Sequence, residues 1–239
     1  MARNAEETIE ECLESVKAFG EVILFLNDST DRTKEMAMQF SNVKVIEGTF
    51  IGFGPTKNKA AEYAGNDWIL SLDSDEMLNP LLIQEIAAQE YGDERGIFIL
   101  RRDNYFLGAK TVSRDYIARI YNRKHTRLNE NAVHEKVIIH ADSRVKKLKH
   151  GFKHLNITDI NQTLTKMIKY TDLAAENRKI CFFSIVIAKA FFAFVQSYFL
   201  RLYLIDGWRG FTLSVTNANS RFYKYLKQYI HCQEEKKGR

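Results

Sequence analysis

The first ninety residues alternate between short apolar runs and longer amphipathic stretches. Residues 5–19, for example, place Ile9, Leu13 and Val16 on one helical face and their glutamates elsewhere. Short apolar runs between polar loops are typical of buried strands, and stripes at helical spacing are typical of surface helices. The predicted strands are 22–26, 43–46 and 68–72, and the predicted helices are 5–19, 33–40, 56–63 and 80–90. This alternation predicts an α/β fold with a mostly parallel sheet and helices on both faces.

The pattern changes after Gly92. Short strands are predicted at 97–101, 117–121 and 137–139, separated by loops of the kind that often receive a substrate. From Asn161, a residue suited to cap a helix, the remainder is predicted to be helical. We therefore expect an α/β domain over residues 1–160 and a helical C-terminal extension over residues 161–239.

Residues 182–205 are dense in apolar and aromatic side chains. Lys189, Gln196 and Arg201 interrupt them, so the uninterrupted apolar runs are shorter than the roughly 20 residues that a membrane span needs. Two alternatives stay open, a buried helix or a helix that lies in a membrane interface. The predicted final helix, residues 217–230, mixes aromatic with basic residues, which suits either a bilayer surface or packing on the domain.

The charge is divided unevenly along the chain. Residues 1–100 contain 8 Lys+Arg and 19 Asp+Glu, whereas residues 101–239 contain 27 and 11. An acidic front half suits a metal-dependent site, and a basic back half favours an anionic partner such as a membrane surface or a phosphorylated acceptor. Nucleic acid is not expected as a partner, because the chain has no zinc finger, no aromatic RNA-binding motif and no glycine-flanked helix-turn-helix.

The three cysteines lie far apart in the sequence. Cys12, Cys181 and Cys232 form no CxxC pair, which argues against structural zinc and against a disulfide framework. This spacing predicts a reducing compartment. Met1 leads directly into polar residues, so no signal peptide is predicted.

The stretch richest in candidate chemistry follows the predicted strand 68–72. Asp73 and Asp75 are two residues apart, so on an extended segment their carboxylates point the same way. Open α/β sheets bind ligands at the carboxyl ends of their strands, and Mg²⁺ is often held there by carboxylates and substrate phosphates. The simpler interpretation is a solvated acidic turn. Asn79 and Pro80 then suit the start of a helix.

An ordered set of motifs resembles family 2 inverting glycosyltransferases with a GT-A fold, and in particular the branch that adds glucose to the inner core of lipopolysaccharide. The set spans nearly the whole chain and comprises the turn at Asn4, Asp28-Ser29-Thr30-Asp31-Arg32-Thr33, Gly52-Phe53-Gly54-Pro55-Thr56-Lys57-Asn58, Asp67-Trp68-Ile69-Leu70-Ser71-Leu72-Asp73-Ser74-Asp75-Glu76, Tyr105-Phe106-Leu107-Gly108, Val133-His134-Glu135 and Asp206-Gly207-Trp208-Arg209-Gly210-Phe211. Each motif is weakly specific, whereas the ordered set is strongly so.

The resemblance implies a UDP-sugar donor and a divalent cation, Mg²⁺ or Mn²⁺. It makes Asp75 a metal ligand, with His154 as a further metal contact and His150 as its rival. Asp73 would contact the ribose or the cation, and Lys57 would offset the charge of the nucleotide. The implied donor-binding residues are Asn4, Asn27, Asp28, Lys57, Asp73 and Asp75.

An inverting transfer requires one carboxylate to remove a proton from the acceptor hydroxyl. The resemblance implies Glu135 as this base and His134 as the residue that orients it, with Asp115 and Glu130 as rivals. It also implies a lipid-linked saccharide acceptor. The enzyme would then be cytoplasmic and peripheral at the inner membrane surface.

The chain departs from the family pattern in two places. The family begins with a hydrophobic strand before the turn at Asn4, and Ala5 stands where Glu is usual. Either the natural start lies upstream or a central strand is lacking, which would leave neighbouring backbone groups unpaired. Leu26 replaces the aspartate that usually ends the second strand, so base or ribose recognition would depend on Asn27 or Asp28.

Two other classes of function remain as alternatives. One is a different Mg²⁺-dependent nucleotide enzyme, either a nucleotidyltransferase or a phosphatase that forms an aspartyl phosphate on Asp73. The other is a degenerate, non-catalytic binding protein at the membrane. Transfer of labelled sugar without a covalent intermediate would distinguish the glycosyltransferase from both.

Overall fold

The computed structural model describes residues 1–131, 135–175 and 179–237. These residues form two compact units. The first consists of Met1–Asp103 and Arg114–Leu155, and the second of Asn104–Ser113 and Asn156–Arg239. The sequence-based division at residue 160 stays a prediction.

Short elements make up the first part of the chain, and three long strands follow them. The short elements are α1 (Ile9–Ser15), β1 (Val22–Leu26), α2 (Thr33–Ala37), β2 (Val43–Glu47), α3 (Phe53–Glu62), β3 (Trp68–Leu70), β4 (Glu76–Leu78) and α4 (Pro80–Ala87). The long strands are β5 (Gly96–Phe106), β6 (Ala109–Asn122) and β7 (Arg144–Ile157). The rest is helical, with α5 (Ile160–Ala175), α6 (Phe183–Val195), a π-helical turn (Gln196–Leu200), a 3₁₀ turn (Tyr203–Asp206) and α7 (Gly207–Lys237).

The strands form a parallel pair, β1–β2, and a five-stranded sheet in the order β3-β6-β5-β7-β4. The α/β class with a helical C-terminal part is confirmed, but the sheet is mixed, not mostly parallel. β3 runs antiparallel to β6, and β4 runs antiparallel to β7. A tight turn at Leu107 and Gly108, both with positive φ, joins β5 to β6, and tight turns of this kind connect antiparallel neighbours.

The hydrophobic core of the first unit lies where α1 and α4 cover the sheet. Ile9, Leu82 and Leu100 are fully buried in it. The start of α4 is the one the sequence predicts, since the Leu82 N–H donates to the Asn79 side chain (2.8 Å) and Pro80 is the first helical residue. This packing holds residues 71–75, the loop between β3 and β4, which we call the acidic loop.

A cavity of about 940 Å³ is lined by residues of both β1 and β3. β1 pairs with β2, and its other partner among the described residues is Ala2, which forms an isolated bridge with Leu26. Burial lowers the pKa of the Met1 α-amino group, which also lines this cavity.

The second unit contains a disulfide that the sequence spacing did not predict. Cys181 and Cys232 are 51 positions apart, yet their Cα atoms lie 5.5 Å from each other and their sulfurs are bonded. The reason is that α6 and α7 pack together, so residues distant in sequence become neighbours. The expectation of no disulfide is corrected here, and the bond also runs against the reducing compartment inferred from the spacing.

The expectation about residues 182–205 is also corrected in part. Helical structure continues from Phe183 to Leu200, 18 residues with mean hydropathy 1.7, because Lys189 and Gln196 do not break the helix. By length and composition alone this helix is long enough to cross a membrane. Only 11% of it is buried, so the buried-helix alternative is not observed.

Candidate active site

The acidic loop after β3 forms a turn. The Glu76 N–H donates to the Asp73 carbonyl (3.1 Å), and the Asp73 N–H donates to the Glu76 carboxylate (3.0 Å). Because this backbone is turned, not extended, the carboxylates of Asp73 and Asp75 contact different partners.

Lys57 connects the acidic loop to a distant part of the chain. Its Nζ lies 2.6 Å from Asp73 Oδ1 and 2.6 Å from Glu135 Oε1. The Lys57 side chain is only 5% exposed. A buried ammonium ion between two carboxylates fixes both, because removal of any one charge would leave an uncompensated charge in a site of low dielectric. Lys57, Asp73 and Glu135 are thus brought together, as predicted, at one place in the first unit.

Arg119 of β6 supports this cluster from the sheet. Its guanidinium donates to Asp73 Oδ2 (3.2 Å) and to the carboxylate of Glu76, which has no exposed surface. Burial disfavours the charge of Asp73, but Arg119 and Lys57 outweigh it and hold its pKa below the usual range. Burial raises the pKa of Glu76. Burial opposes the charge of Arg119 as well, but Glu76 and Asp73 together raise its pKa.

Asp75 lies beside His154 of β7. The His154 Nε2 is 3.5 Å from Asp75 Oδ2, since the pairing of β4 with β7 aligns Glu76 with His154. The rival His150 is held elsewhere, with its Nδ1 2.9 Å from the Glu85 carboxylate of α4. A carboxylate and an imidazole are both metal donors, so this pair fits a divalent cation. No group of three or more such donors occurs among the described residues.

The predicted donor-binding residues of the first loop have different environments. Asn4 (φ 48°) accepts a hydrogen bond from the Thr30 N–H (2.8 Å) and so holds the loop that follows β1. Asp28 is exposed and also has a positive φ (52°). Asn27 is buried, and its Oδ1 has no partner among the described residues. An unsatisfied buried acceptor is costly, so Asn27 suits a ligand that donates a hydrogen bond.

The segment before Glu135 is held by α3. Asn58 Nδ2 donates to the Leu128 carbonyl (2.9 Å), and its Oδ1 accepts from the Leu128 N–H (3.0 Å). Gly54 permits close approach, because a Cβ at this position would lie 1.9 Å from the Asn129 carbonyl oxygen. Gly54, in the first turn of α3, therefore serves backbone packing against residues 129–131.

The rivals for the catalytic base lie in other pairs. Asp115 binds Arg102 at 2.9 Å, and Glu130 forms an exposed pair with Arg127 at 3.5 Å. Among the described residues, neither Asp115 nor Glu130 forms an ion pair with Lys57. His134, predicted to orient Glu135, lies outside the described residues.

Sequence reasoning missed Arg119 and Glu76. A signal for Arg119 existed, since it is a charged residue in the middle of the apolar strand 117–121, and buried charges are nearly always paired. Glu76 entered the sequence analysis only as the last residue of the motif 67–76, whereas the structure makes it the first residue of the buried strand β4.

Comparison with known proteins identifies the class. Residues 1–151 match the family model described as Glycosyl transferase family 2. Since this match covers more than half of the chain, the chain belongs to that family and is a glycosyltransferase. The resemblance drawn from the motifs is confirmed at the level of the family, and the phosphatase, nucleotidyltransferase and non-catalytic alternatives are not retained.

Several relatives match nearly the whole chain. An uncharacterized glycosyltransferase of Rickettsia felis is 26% identical over 95% of this chain and 87% of its own length. The lipopolysaccharide core biosynthesis glycosyltransferase LpsC of Rhizobium meliloti is 24% identical over 95% of this chain and 88% of its own. Among solved structures, S. aureus TarS 1–349 in complex with UDP-GlcNAc has a TM-score of 0.48 and 17% identity, over 90% of this chain and 74% of its own.

Proposed function

We propose that this glycosyltransferase moves glucose from UDP-glucose to a sugar hydroxyl of a lipopolysaccharide or lipooligosaccharide core acceptor, with inversion at the anomeric carbon. The observation that carries the proposal is the Lys57 bridge. One buried ammonium ion holds Asp73 of the acidic loop and Glu135 together. Inverting transfer needs a diphosphate-binding loop and a carboxylate base in the same cleft, and this bridge supports both roles.

In the proposed reaction, Glu135 accepts the proton of the acceptor hydroxyl as that oxygen attacks the anomeric carbon. The bond between this carbon and the diphosphate oxygen breaks, and UDP leaves with the bonding electrons. The new glycosidic bond forms on the opposite face, so one base suffices and no covalent intermediate arises. Lys57 positions Glu135 before the donor binds and adds positive charge close to the leaving group.

Donor recognition is assigned to the loops around this cluster. The unsatisfied Oδ1 of Asn27 would accept a hydrogen bond from an N–H or O–H group of the sugar nucleotide. Asp73 would contact the ribose of the same molecule. Asn4 holds the loop that follows β1, and Asp28 of that loop is exposed, so both are assigned to the recognition of the sugar nucleotide in this proposal.

Asp75 and His154 are the residues that would hold a divalent cation, Mg²⁺ or Mn²⁺. When bound, such an ion would neutralise charge on the departing diphosphate. Two protein donors suit an ion that takes its remaining ligands from phosphates and water. Asp73 is less suited as a ligand, because Lys57 and Arg119 already engage its two oxygens.

The acceptor and the location are proposed from the motifs and from one relative. The resemblance of the motifs and the 24% identity to a lipopolysaccharide core enzyme favour a lipid-linked saccharide acceptor. With such an acceptor the proposed location is the cytoplasmic face of the inner membrane. This location is proposed from the acceptor alone, since the Cys181–Cys232 bond is typical of an oxidising compartment.

The role of Glu135 is tested with Glu135→Gln and the matched control Glu130→Gln. We expect Glu135→Gln to bind UDP like the unaltered enzyme, by calorimetry, while its kcat for sugar transfer falls by at least about a hundredfold. Glu130→Gln should keep both properties. Full transfer activity in Glu135→Gln, or a loss confined to Asp115→Asn, would refute the assignment.

Donor and metal are tested together by thermal shift. UDP-, GDP- and CMP-sugars are each added with and without Mn²⁺, because a ligand that binds only the folded state raises its stability. We expect a metal-dependent shift with UDP-sugars alone, largest with UDP-glucose, and its loss in Asp75→Asn and His154→Gln. Equal thermal shifts with and without Mn²⁺ would contradict the cation site. A thermal shift with a GDP- or CMP-sugar would contradict the assignment of UDP-glucose as the sugar donor.

A further inference from the structure

The second unit exposes six large apolar side chains within ten residues at the turn between α6 and α7. Leu200 is 69% exposed, Ile205 65% and Trp208 59%. We call this run, residues 199–208, the hairpin tip. Its exposed apolar members are Phe199, Leu200, Leu202, Leu204, Ile205 and Trp208. A patch of this density on a protein surface marks an interaction site.

The hairpin tip is held in place by the residues around it. Asp206 accepts hydrogen bonds from the Val112 N–H, 3.0 Å from each of its oxygens. Gly210 lies so close to the Tyr203 carbonyl that a Cβ would come within 1.7 Å of its oxygen. Behind the tip, the side chains of Ser197 and Asn217 are joined by a hydrogen bond of 3.2 Å. These contacts hold the backbone of the hairpin tip in place, so its apolar side chains stay at the surface.

The charge around the tip identifies the partner. Arg201 lies within the tip, and Arg209 stacks on Trp208 with its guanidinium carbon 4.6 Å from the ring centroid. Residues 156–239 carry 13 Lys+Arg and 6 Asp+Glu. Aromatic and apolar side chains beside arginines suit the headgroup region of a bilayer that contains anionic lipid.

The neighbouring helix argues against a bilayer crossing by α6. α7 packs along α6, and Lys189 of α6 and Lys224 of α7 both stack on the Tyr225 ring, at 5.1 Å and 5.5 Å from its centroid. If α6 crossed the hydrocarbon, these lysines would lie together near its middle, where charge is strongly disfavoured. A hairpin that lies in the interface avoids this cost, since the lysines can reach the headgroups.

We propose that the hairpin tip is a membrane-docking surface that inserts into the headgroup region of anionic phospholipid bilayers, without crossing them. This inference does not depend on the proposed transfer reaction, because none of its residues belongs to the catalytic cluster. The hairpin tip is then the surface through which the enzyme contacts the membrane, and it prefers lipids that carry negative charge.

The test is sedimentation of the full chain with vesicles of phosphatidylcholine, alone or mixed with phosphatidylglycerol. We expect binding to the mixed vesicles, and a decrease in affinity of about tenfold or more in the double variant Leu200→Ser/Ile205→Ser. Arg201→Gln should reduce the preference for phosphatidylglycerol. The matched control is Met38→Ser/Ile168→Ser, which removes two equally exposed apolar side chains outside the tip and should bind normally.

Tryptophan fluorescence tests the insertion without a disruptive variant. The chain has two tryptophans, and Trp208 is the exposed one. Brominated lipid should quench the unaltered protein, with bromine near the headgroups quenching more than bromine at the chain ends, and Trp208→Phe should remove this quenching. Glu135→Gln should bind vesicles normally, which separates this proposal from the proposed reaction.

Several results would overturn the proposal. These are no binding to either vesicle, unchanged binding by Leu200→Ser/Ile205→Ser, and strongest quenching by bromine at the chain ends, which would indicate a crossing helix. A dimer in light scattering that the same double variant dissociates would assign the tip to a second copy of the chain.

Discussion

The side-chain amide of Asn58 hydrogen-bonds to both backbone polar groups of Leu128, with lengths of 2.9 Å and 3.0 Å. The Leu128 residue is almost fully buried, so no water replaces these bonds. Leu128 also forms an isolated bridge with Val137, and the Asn129 N–H donates to the Lys136 carbonyl (2.9 Å). One amide on α3 therefore helps to position the residues next to Glu135, the carboxylate that we propose as the base.

We expect Asn58→Ala to lower the free energy of unfolding by about 2–4 kcal/mol, because it leaves a buried N–H and a buried carbonyl unsatisfied. Transfer activity should also fall, since Glu135 would lose its position against Lys57. Urea unfolding and kcat measure these two effects. The exposed neighbour Lys59 gives the matched control: if Lys59→Ala has the same effects, the amide has no special role.

The pair of Arg119 with Glu76 predicts a strong energetic coupling. Arg119→Met should cost about 3–5 kcal/mol of stability, because Glu76 would remain as a buried carboxylate without its guanidinium. In Arg119→Met/Glu76→Gln the destabilisation should be smaller than the sum of the two single variants. Chemical unfolding of the four proteins measures this coupling.

The half-exposed pair Arg95–Asp93 is the control for this cycle. Arg95→Met should change the stability little, because solvent screens such a pair. Additive single and double variants at Arg119 and Glu76 would show that the two side chains do not depend on each other.

The contacts that were predictable are the local ones. Asn79 and Pro80 mark the start of α4 because capping depends on neighbours three residues away. The contact of Lys57 with Glu135 joins residues 78 positions apart, and it arises from packing that no local pattern reports. The motif resemblance placed both residues in the site without giving their contact.

The strand direction and the helical hairpin were harder to predict for a related reason. Alternation of strands and helices in the first ninety residues suggested a mostly parallel sheet. The later strands β5 and β6 are longer than predicted and are joined by a two-residue turn at Leu107 and Gly108, within a stretch that the sequence predicts as a loop. Likewise, apolar periodicity shows that α6 is helical without showing which element covers it. Burial depends on partners distant in sequence.

Glu85 predicts a pH dependence of stability. Its carboxylate accepts the N–H groups of Lys149 (2.8 Å) and His150 (2.9 Å). Burial opposes its charge, but these bonds and the His150 ring lower the pKa of Glu85. A lowered pKa in the folded state stabilises the protein above the unfolded pKa of about 4.3 and ceases to do so as the pH falls through the folded value.

Glu85→Gln should therefore reduce the free energy of unfolding by about 1 kcal/mol near neutral pH, and the difference from the unaltered protein should shrink in acid. Urea unfolding across the acidic range measures this trend. The exposed residue Glu90 is close by on the chain, and Glu90→Gln should have no such effect. A constant difference at every pH would show that the charge of Glu85 is not involved.

The Cys181–Cys232 bond predicts a different response of the three cysteines to alkylation. Burial raises the pKa of the Cys12 thiol to about 12, and the thiolate is the reactive form, so Cys12 should stay unmodified in the folded protein. Reduction should free Cys181 and Cys232 for iodoacetamide and lower the free energy of unfolding by about 2–4 kcal/mol. Mass spectrometry and urea unfolding, each with and without reductant, measure these effects. Cys232→Ser is the control, because its stability should not respond to reductant; equal sensitivity in both proteins would show that the bond does not form.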